Sequence, residues 1–288
     1  MKSNILIGIS KNVRFAIADT TEISKEAVEN SEYDSILCTS ELALLNIISI
    51  LSSNIKSKEG KISLVLKADG LLGKAHARAR IDGRVISSNE VDADKIEKLN
   101  ECKDLDEFKK IYRIGKGVLR FETDLGLKSP YYTEIDIDDT KNIEDALSEY
   151  YIKSEQLKTI IKTGIKYTEG NSILKTGAIF IQALPDCSDE VFDKYVKRIK
   201  EIYGIQELLA HDFSLEKVLK LICEDIEEYK VLEERELSFK CDCSREYCLD
   251  VLKRVYTKKE IQDIIQKDGY IETVCNFCNA AYRFKEVD

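Results

Sequence analysis

CDCSREYCLDVLKRVYTKKEIQDIIQKDGYIETVCNFC, residues 241–278, decides how the end of this chain folds. Two close cysteine pairs bracket it: C-x-C at Cys241 and Cys243, then 31 residues (244–274), then C-x-x-C at Cys275 and Cys278. Brought together, the pairs supply four thiolates, the ligand set of a closed tetrahedral structural zinc site. The intervening residues are suited to bring them together. Thr257 and Glu260 form a capping box for a helix through Ile261, Ile264 and Ile265; Gly269 ends it; Tyr270 to Val274 returns as a short strand that delivers Cys275. A segment of 48 residues (241–288) has little core of its own. Zinc can supply on the order of 10 kcal/mol of folding free energy to such a module.

The chemistry of the pairs leaves two readings open. One is an inert zinc ribbon, in which the metal is purely structural. The other makes the staple a sensor, because zinc-bound thiolates stay nucleophilic toward peroxide, and their oxidation consumes the ligands. Spacing alone favours the first; the C-x-C pair argues for the second, since its disulfide would close a small, strained and easily reduced ring. A thioredoxin-like reading of Cys275-Asn-Phe-Cys278 needs that motif early in its domain, and here it lies ten residues from the last, Asp288.

Outward from this stretch, composition narrows the class. Hydrophobic residues at 43% allow a substantial core, and charged residues at 34% point to a soluble chain. The apolar run Leu42–Leu51 is interrupted by Asn46 and Ser49 and is too short for a membrane span. No export signal is apparent at the N-terminus. With a formal charge of −9 and no convincing basic patch, nucleic acid is disfavoured as a partner. Nine cysteines, five of them in residues 241–288, point to metal rather than to a secreted disulfide framework. His76 and His211 lie far from the cluster, so any metal site there is thiolate-rich.

The fold class expected is α+β: a mixed α/β core over residues 1–185, a helical middle and linker over 186–240, and a zinc module over 241–288. Ser40 is expected to cap a helix carrying Leu42, Leu44, Leu45, Ile47, Ile48 and Leu51. Lys61–Lys67 and Ala75–Ile81 alternate as strands, and Asp82-Gly83 marks a hairpin turn into Arg84–Ser87. His76, Arg78 and Arg80 read as a solvated strand face. Gly115–Phe121 reads as a turn and strand, Ile143–Leu157 as helix, and Gly177–Leu184 as a buried strand ending before Pro185. Beyond Ser188, Val191 to Tyr203 makes a helical stripe closed by Gly204, and a second helix follows Ser214. Glu224–Lys240 carries seven acidic and three basic residues and reads as a poorly anchored connector. Cys38, Cys102, Cys187 and Cys223 read as small buried hydrophobes, and Cys248 as a free thiol on the helix after Cys243. No catalytic constellation stands out, so an enzyme is not expected.

These residues resemble the redox-regulated heat-shock chaperones of about 33 kDa, the 33-kDa chaperonin family. The likeness is carried by Phe239-Lys-Cys-Asp-Cys-Ser-Arg-Glu246, Asp268-Gly269 and Val274-Cys-Asn-Phe-Cys-Asn-Ala-Ala-Tyr-Arg-Phe284. Upstream it extends through Asp19-Thr-Thr-Glu22, Gly115-Lys-Gly-Val-Leu-Arg120, Asp124-Leu-Gly-Leu127, Tyr151–Gln156 and Gln182-Ala-Leu-Pro185. Gly70-Leu-Leu-Gly73 and Lys158 depart from the family pattern, which has proline at the second position of the first and at the second site. The resemblance implies a cytoplasmic, ATP-independent holdase of the stress response. It binds one zinc per chain when reduced, through Cys241, Cys243, Cys275 and Cys278. Oxidation is implied to form the disulfides Cys241–Cys243 and Cys275–Cys278, expel zinc and unfold the switch, giving a homodimer that holds unfolding client proteins. The rival from another class is a zinc-ribbon adaptor or nucleic-acid-binding regulator.

Overall fold

The computed structural model describes residues 2–125 and 130–287, so Gly126 and Leu127 of the resemblance lie outside the described residues. The chain forms two compact units, divided between Phe239 and Lys240.

The first unit is built on a ten-stranded sheet. In chain order its elements are β1 (Ser3–Ser10), β2 (Val13–Asp19), α1 (Thr21–Glu29), α2 (Thr39–Leu51), β3 (Lys61–Ala68), β4 (Lys74–Arg80) and β5 (Arg84–Asn89). Then come α3 (Ala93–Asn100), α4 (Leu105–Ile111), β6 (Gly117–Asp124), β7 (Tyr131–Ile137), α5 (Ile143–Ser154), β8 (Thr159–Tyr167) and β9 (Ile173–Ala183). Helices α6 (Asp189–Glu201), α7 (Ile205–Ala210) and α8 (Leu215–Cys223) follow, and β10 (Tyr229–Phe239) closes the unit.

The strand order is β7-β6-β3-β4-β5-β10-β1-β2-β9-β8. It is two antiparallel half-sheets spliced by one parallel contact, in which only Ser238 and Phe239 of β10 pair with Arg84 and Val85 of β5. Gly83 makes the hairpin turn beside that splice with φ +84°. A Cβ there would lie 2.1 Å from the carbonyl oxygen of Glu236, so only glycine fits.

Alternation along the strands explains both cores. In β1, β2 and β9, Ile5, Ala16, Ala18, Ala178 and Phe180 face one side with α2. Leu6, Phe15, Ile17, Ile179 and Ile181 face the other, against Phe192, Tyr195, Leu208, Val218 and Leu219 of α6–α8. A strand covered on both faces reads as a near-continuous apolar run, as in Gly177–Leu184, where Gln182 alone is polar. In the other half-sheet one face is apolar: Ile62, Leu64 and Leu66 of β3 join Ala75, Ala77 and Ala79 of β4 under α2. Helix α2 packs on strands of both half-sheets, so Leu42, Leu44, Leu45, Ile47, Ile48, Ile50 and Leu51 are all fully buried.

Four expectations need correction. The residue capping α2 is Cys38; Ser40 lies buried inside the first turn, because an Asp34 turn brings the chain into the helix early. Gly204 does not close α6. It has φ −55° and starts α7, after Ile202 has already left the helix in extended backbone. The acidic stretch taken as a connector is mostly β10, paired with β1 from Ser3↔Leu237 to Ser10↔Tyr229. Of its side chains only Leu237 is buried, so no alternating pattern marked it as a strand. Finally, His76, Arg78 and Arg80 are half-buried rather than solvated. Burial, then the charges of Arg78 and Lys67, hold the imidazole of His76 down at about 4.

No helix among the described residues is long and apolar enough to cross a membrane.

Candidate metal centre

The second unit contains α9 (Arg245–Val255), α10 (Lys258–Asp268) and a hairpin of β11 (Ile271–Val274) and β12 (Ala281–Phe284). Local signals set each boundary. The Ser244 hydroxyl accepts the Tyr247 amide at 3.1 Å and starts α9. Thr257 and Glu260 form the expected capping box on α10, and Gly269, at φ +80°, closes it in left-handed backbone. The hairpin pairs Ile271 with Phe284, Thr273 with Tyr282 and Val274 with Ala281. Its core is small: Cys248, Leu252, Ile261, Ile271 and Phe284 are the buried side chains. Arg245 lies over the Phe284 ring, 4.3 Å from its centre, and its guanidinium donates to the Arg283 carbonyl at 2.5 Å.

The hairpin loop is shaped to present sulfur. The amide of Cys275 donates to the Ala280 carbonyl at 3.0 Å, and that of Asn279 to the Cys275 carbonyl at 2.9 Å. Asn279 takes the left-handed conformation, φ 54°, that this tight reversal requires. Cys275 and Cys278 thus converge with Cys241 and Cys243, which lie between β10 and Ser244.

The four Sγ atoms all lie within 4.8 Å of one another. Cys241 and Cys275 are 3.6 Å apart, and Cys243 and Cys278 are 3.4 Å apart. Zinc–sulfur bonds of about 2.3 Å in a tetrahedron place sulfurs roughly 3.8 Å from one another. The donor set and its spacing therefore fit a four-thiolate metal site, and all four cysteines are free thiols of intermediate exposure.

The electrostatics of the bare cluster show why it wants a cation. Burial opposes ionisation of Cys275, but the backbone N–H groups of Phe277 and Cys278, together with hydrogen bonds from the thiols of Cys241 and Cys278, bring its pKa below the ordinary thiol value. Burial, with the neighbouring Cys243 and Cys275 opposing the charged form, raises Cys241. Cys278 is pushed up to about 11, again by burial first. Four thiolates this close repel one another, and a bound dication reverses that logic by favouring all four.

Sequence reading named Cys241, Cys243, Cys275 and Cys278 as candidate metal ligands, and the structure brings their four sulfurs together. It places Cys248 in the module core, outside that set, with its thiol raised by burial and by the facing Cys243 and Cys275. Cys38 and Cys223 are buried as expected, whereas Cys102 and Cys187 are only half-buried. Gly115, at φ +85°, makes the turn before β6. One neighbour of the cluster was missed: the Tyr282 hydroxyl stands 3.2 Å from Cys243 Sγ. The signal was there in the alternation of β12, but using it required the hairpin register.

Comparison with known proteins bears on the whole chain. Residues 6–285 match the family model described as Hsp33 protein. The 33 kDa chaperonin of Caldanaerobacter subterraneus subsp. tengcongensis is 32% identical over 267 residues, covering 90% of this chain and 88% of the relative. That of Lactococcus lactis subsp. cremoris is 33% identical over 291 aligned positions, covering 98% of this chain and 96% of the relative. The crystal structure of the 33 kDa chaperonin from Thermotoga maritima superposes with a TM-score of 0.77 at 24% identity, covering 98% and 94% of the two chains. That likeness is one of fold.

Proposed function

The chain belongs to the Hsp33 protein family, and from that premise we propose that it is a redox-regulated, ATP-independent holdase chaperone, not an enzyme. The observation that carries this reading is the four-sulfur cluster, built from two close pairs in a module with only five buried side chains. In the reduced state Cys241, Cys243, Cys275 and Cys278 hold one zinc per chain, which supplies the cross-link that the small core lacks.

Oxidation acts on the same four atoms. Cys241 pairs with Cys243 and Cys275 with Cys278; each pair gives up two electrons as its S–S bond forms. Each pair takes one hydrogen peroxide as its acceptor, whose O–O bond breaks and which, with two protons, leaves as two waters. Both disulfides take their sulfurs out of the donor set, so the module (residues 241–288) loses its metal and its fold together. Apolar surface uncovered in this way binds unfolding client proteins non-specifically, and the oxidised chain acts as a homodimer. A resting reduced state fits the cytoplasm, where thiols are kept reduced. Nucleic acid is not among the partners proposed for so acidic a chain.

The test is zinc release, followed with a chromogenic chelator during peroxide treatment at raised temperature, with aggregation of a heat-unfolded test protein scored in parallel. About one zinc per chain should leave as aggregation is suppressed, and a thiol reductant with zinc should reverse both. Zinc that stays bound, or leaves with no gain in holding activity, makes the cluster a structural ribbon and this reading wrong.

A further inference from the structure

We propose that the turn between α9 and α10 docks on an anionic lipid surface, through Lys253, Arg254, Lys258 and Lys259 set around an apolar tip of Val255 and Tyr256. The inference goes beyond the chaperone reading and stands apart from it.

The net charge of the chain hides this surface. Residues 240–288 carry nine Lys and Arg against nine Asp and Glu, so the whole formal charge of −9 belongs to the first unit. Within the second unit the cations are gathered: Lys253-Arg254-Val255-Tyr256-Thr257-Lys258-Lys259 holds four of them and no acid. Every residue of this run is exposed. None of the four cations makes an ion pair among the described residues. The next residue, Glu260, is turned onto the helix cap, where its carboxylate accepts the Thr257 amide at 2.7 Å and the Thr257 hydroxyl at 2.8 Å.

Helix energetics account for only half of the pattern. Lys253 and Arg254 lie in the last turn of α9, where a helix favours positive charge. Lys258 and Lys259 are the first two residues of α10, at the end where a helix favours anions. Two cations set against the helix dipole, with no partner of their own, break a local rule in the way functional surfaces do. An external anion satisfies them.

The apolar tip selects the kind of anion. Val255 is 66% exposed and Tyr256 40%, between the two pairs of cations. An aliphatic side chain gives a nucleic acid no ring on which a base can stack. At a bilayer, valine enters the boundary of the acyl chains, tyrosine stays at headgroup level, and the lysines and the arginine reach the phosphates. Each cation near an anionic bilayer strengthens binding about fivefold, so four give roughly several hundredfold. Such attachment is reversible and sensitive to salt.

The test is flotation of the full reduced chain with vesicles of phosphatidylglycerol and phosphatidylcholine in equal parts, against vesicles of phosphatidylcholine alone. The mixed vesicles should bind roughly a hundredfold more tightly or better. Salt at about 1 M, which screens charges beyond about 3 Å, should abolish the difference. Lys258→Gln with Lys259→Gln should weaken binding about 30-fold, and Val255→Ser with Tyr256→Ser should weaken it severalfold, both with wild-type amide NMR dispersion. Lys253→Gln with Arg254→Gln carries the same 30-fold expectation should the first pair disturb folding. Lys267→Gln, roughly 13 Å further along α10, should stay within about twofold of wild type. Equal binding to both kinds of vesicle overturns the inference, as does mixed-vesicle binding that survives the loss of either cation pair. Binding untouched by the Val255 and Tyr256 substitutions also overturns it, because charge alone then holds the chain. Tighter binding of polyuridine than of mixed vesicles, lost in the same lysine variant, assigns the surface to nucleic acid and overturns the lipid assignment.

Discussion

In the unit ending at Phe239, α2 alone carries seven leucine and isoleucine side chains with no exposure at all. In the unit beginning at Lys240, five side chains make up the buried core among the described residues. At about 2 kcal/mol each, those five contribute roughly 10 kcal/mol, and a metal held by the four clustered sulfurs would contribute an amount of the same order. The larger unit is thus held by apolar burial between a helix and two half-sheets, while on the proposed reading the smaller depends on four sulfurs as much as on its core. On that reading, one chain combines a part held by apolar burial with a part whose fold follows the redox state of its four clustered sulfurs.

The strongest way to break this comparison is to remove the metal. Chelation, or Cys275→Ser, should unfold residues 240–287, a loss on the order of 10 kcal/mol, while the first unit stays intact. Amide NMR dispersion would show it, and a module that stays folded without metal would sink the contrast. The reverse experiment is Leu45→Ala in α2. It should cost the first unit about 3 kcal/mol in denaturant unfolding and leave zinc affinity unchanged.

A third prediction concerns a charge buried where the first unit is most apolar. Glu41 sits in the first turn of α2, accepts the Ser87 hydroxyl at 2.7 Å, and is 1% exposed. Burial raises its carboxyl from 4.5 to about 7, against the opposing hydrogen bonds of Ser87 and Cys38. The folded state therefore binds this proton more tightly than the unfolded chain. Its stabilising effect is complete below about pH 4.5, is lost as pH rises toward 7, and stays lost above that. Glu41→Gln should stabilise the first unit at pH 8 by at most about 3 kcal/mol and flatten its stability between those limits. An unchanged pH profile of unfolding would contradict this. The smallest effect is expected at the module's helix cap. Thr257→Ala removes the capping box and should weaken zinc binding by about 1 kcal/mol, about fivefold.

The two units also differ in how far their sequences could be read. The four-cysteine cluster was legible because its information is local: thiol pairs at short spacing, a capping box at Thr257, a glycine at 269. The apolar strands and α2 were legible from periodicity. β10 was not, because a strand with one buried side chain, Leu237, carries no alternation; it is specified by pairing with β1, some 220–230 residues earlier. Gly204 misled for a related reason, since glycine serves either end of a helix and the residues on its C-terminal side make the choice. Tyr282 needed the register of the hairpin, which no single-residue pattern encodes.

That distant pairing has a consequence for synthesis. β1 and β2 leave the ribosome first, but the strand that completes β1's outer edge arrives only with residues 229–239. At about 5–20 residues per second, the edge of β1, with Ile5 and Ile7 in it, waits roughly 10–40 s for its partner. Hydrogen exchange on arrested nascent chains should find the β1 amides that face β10 protected only once Phe239 has cleared the exit tunnel; earlier protection of those amides would mean another segment covers the edge. Until then the chain carries an open strand edge of the kind that invites aggregation.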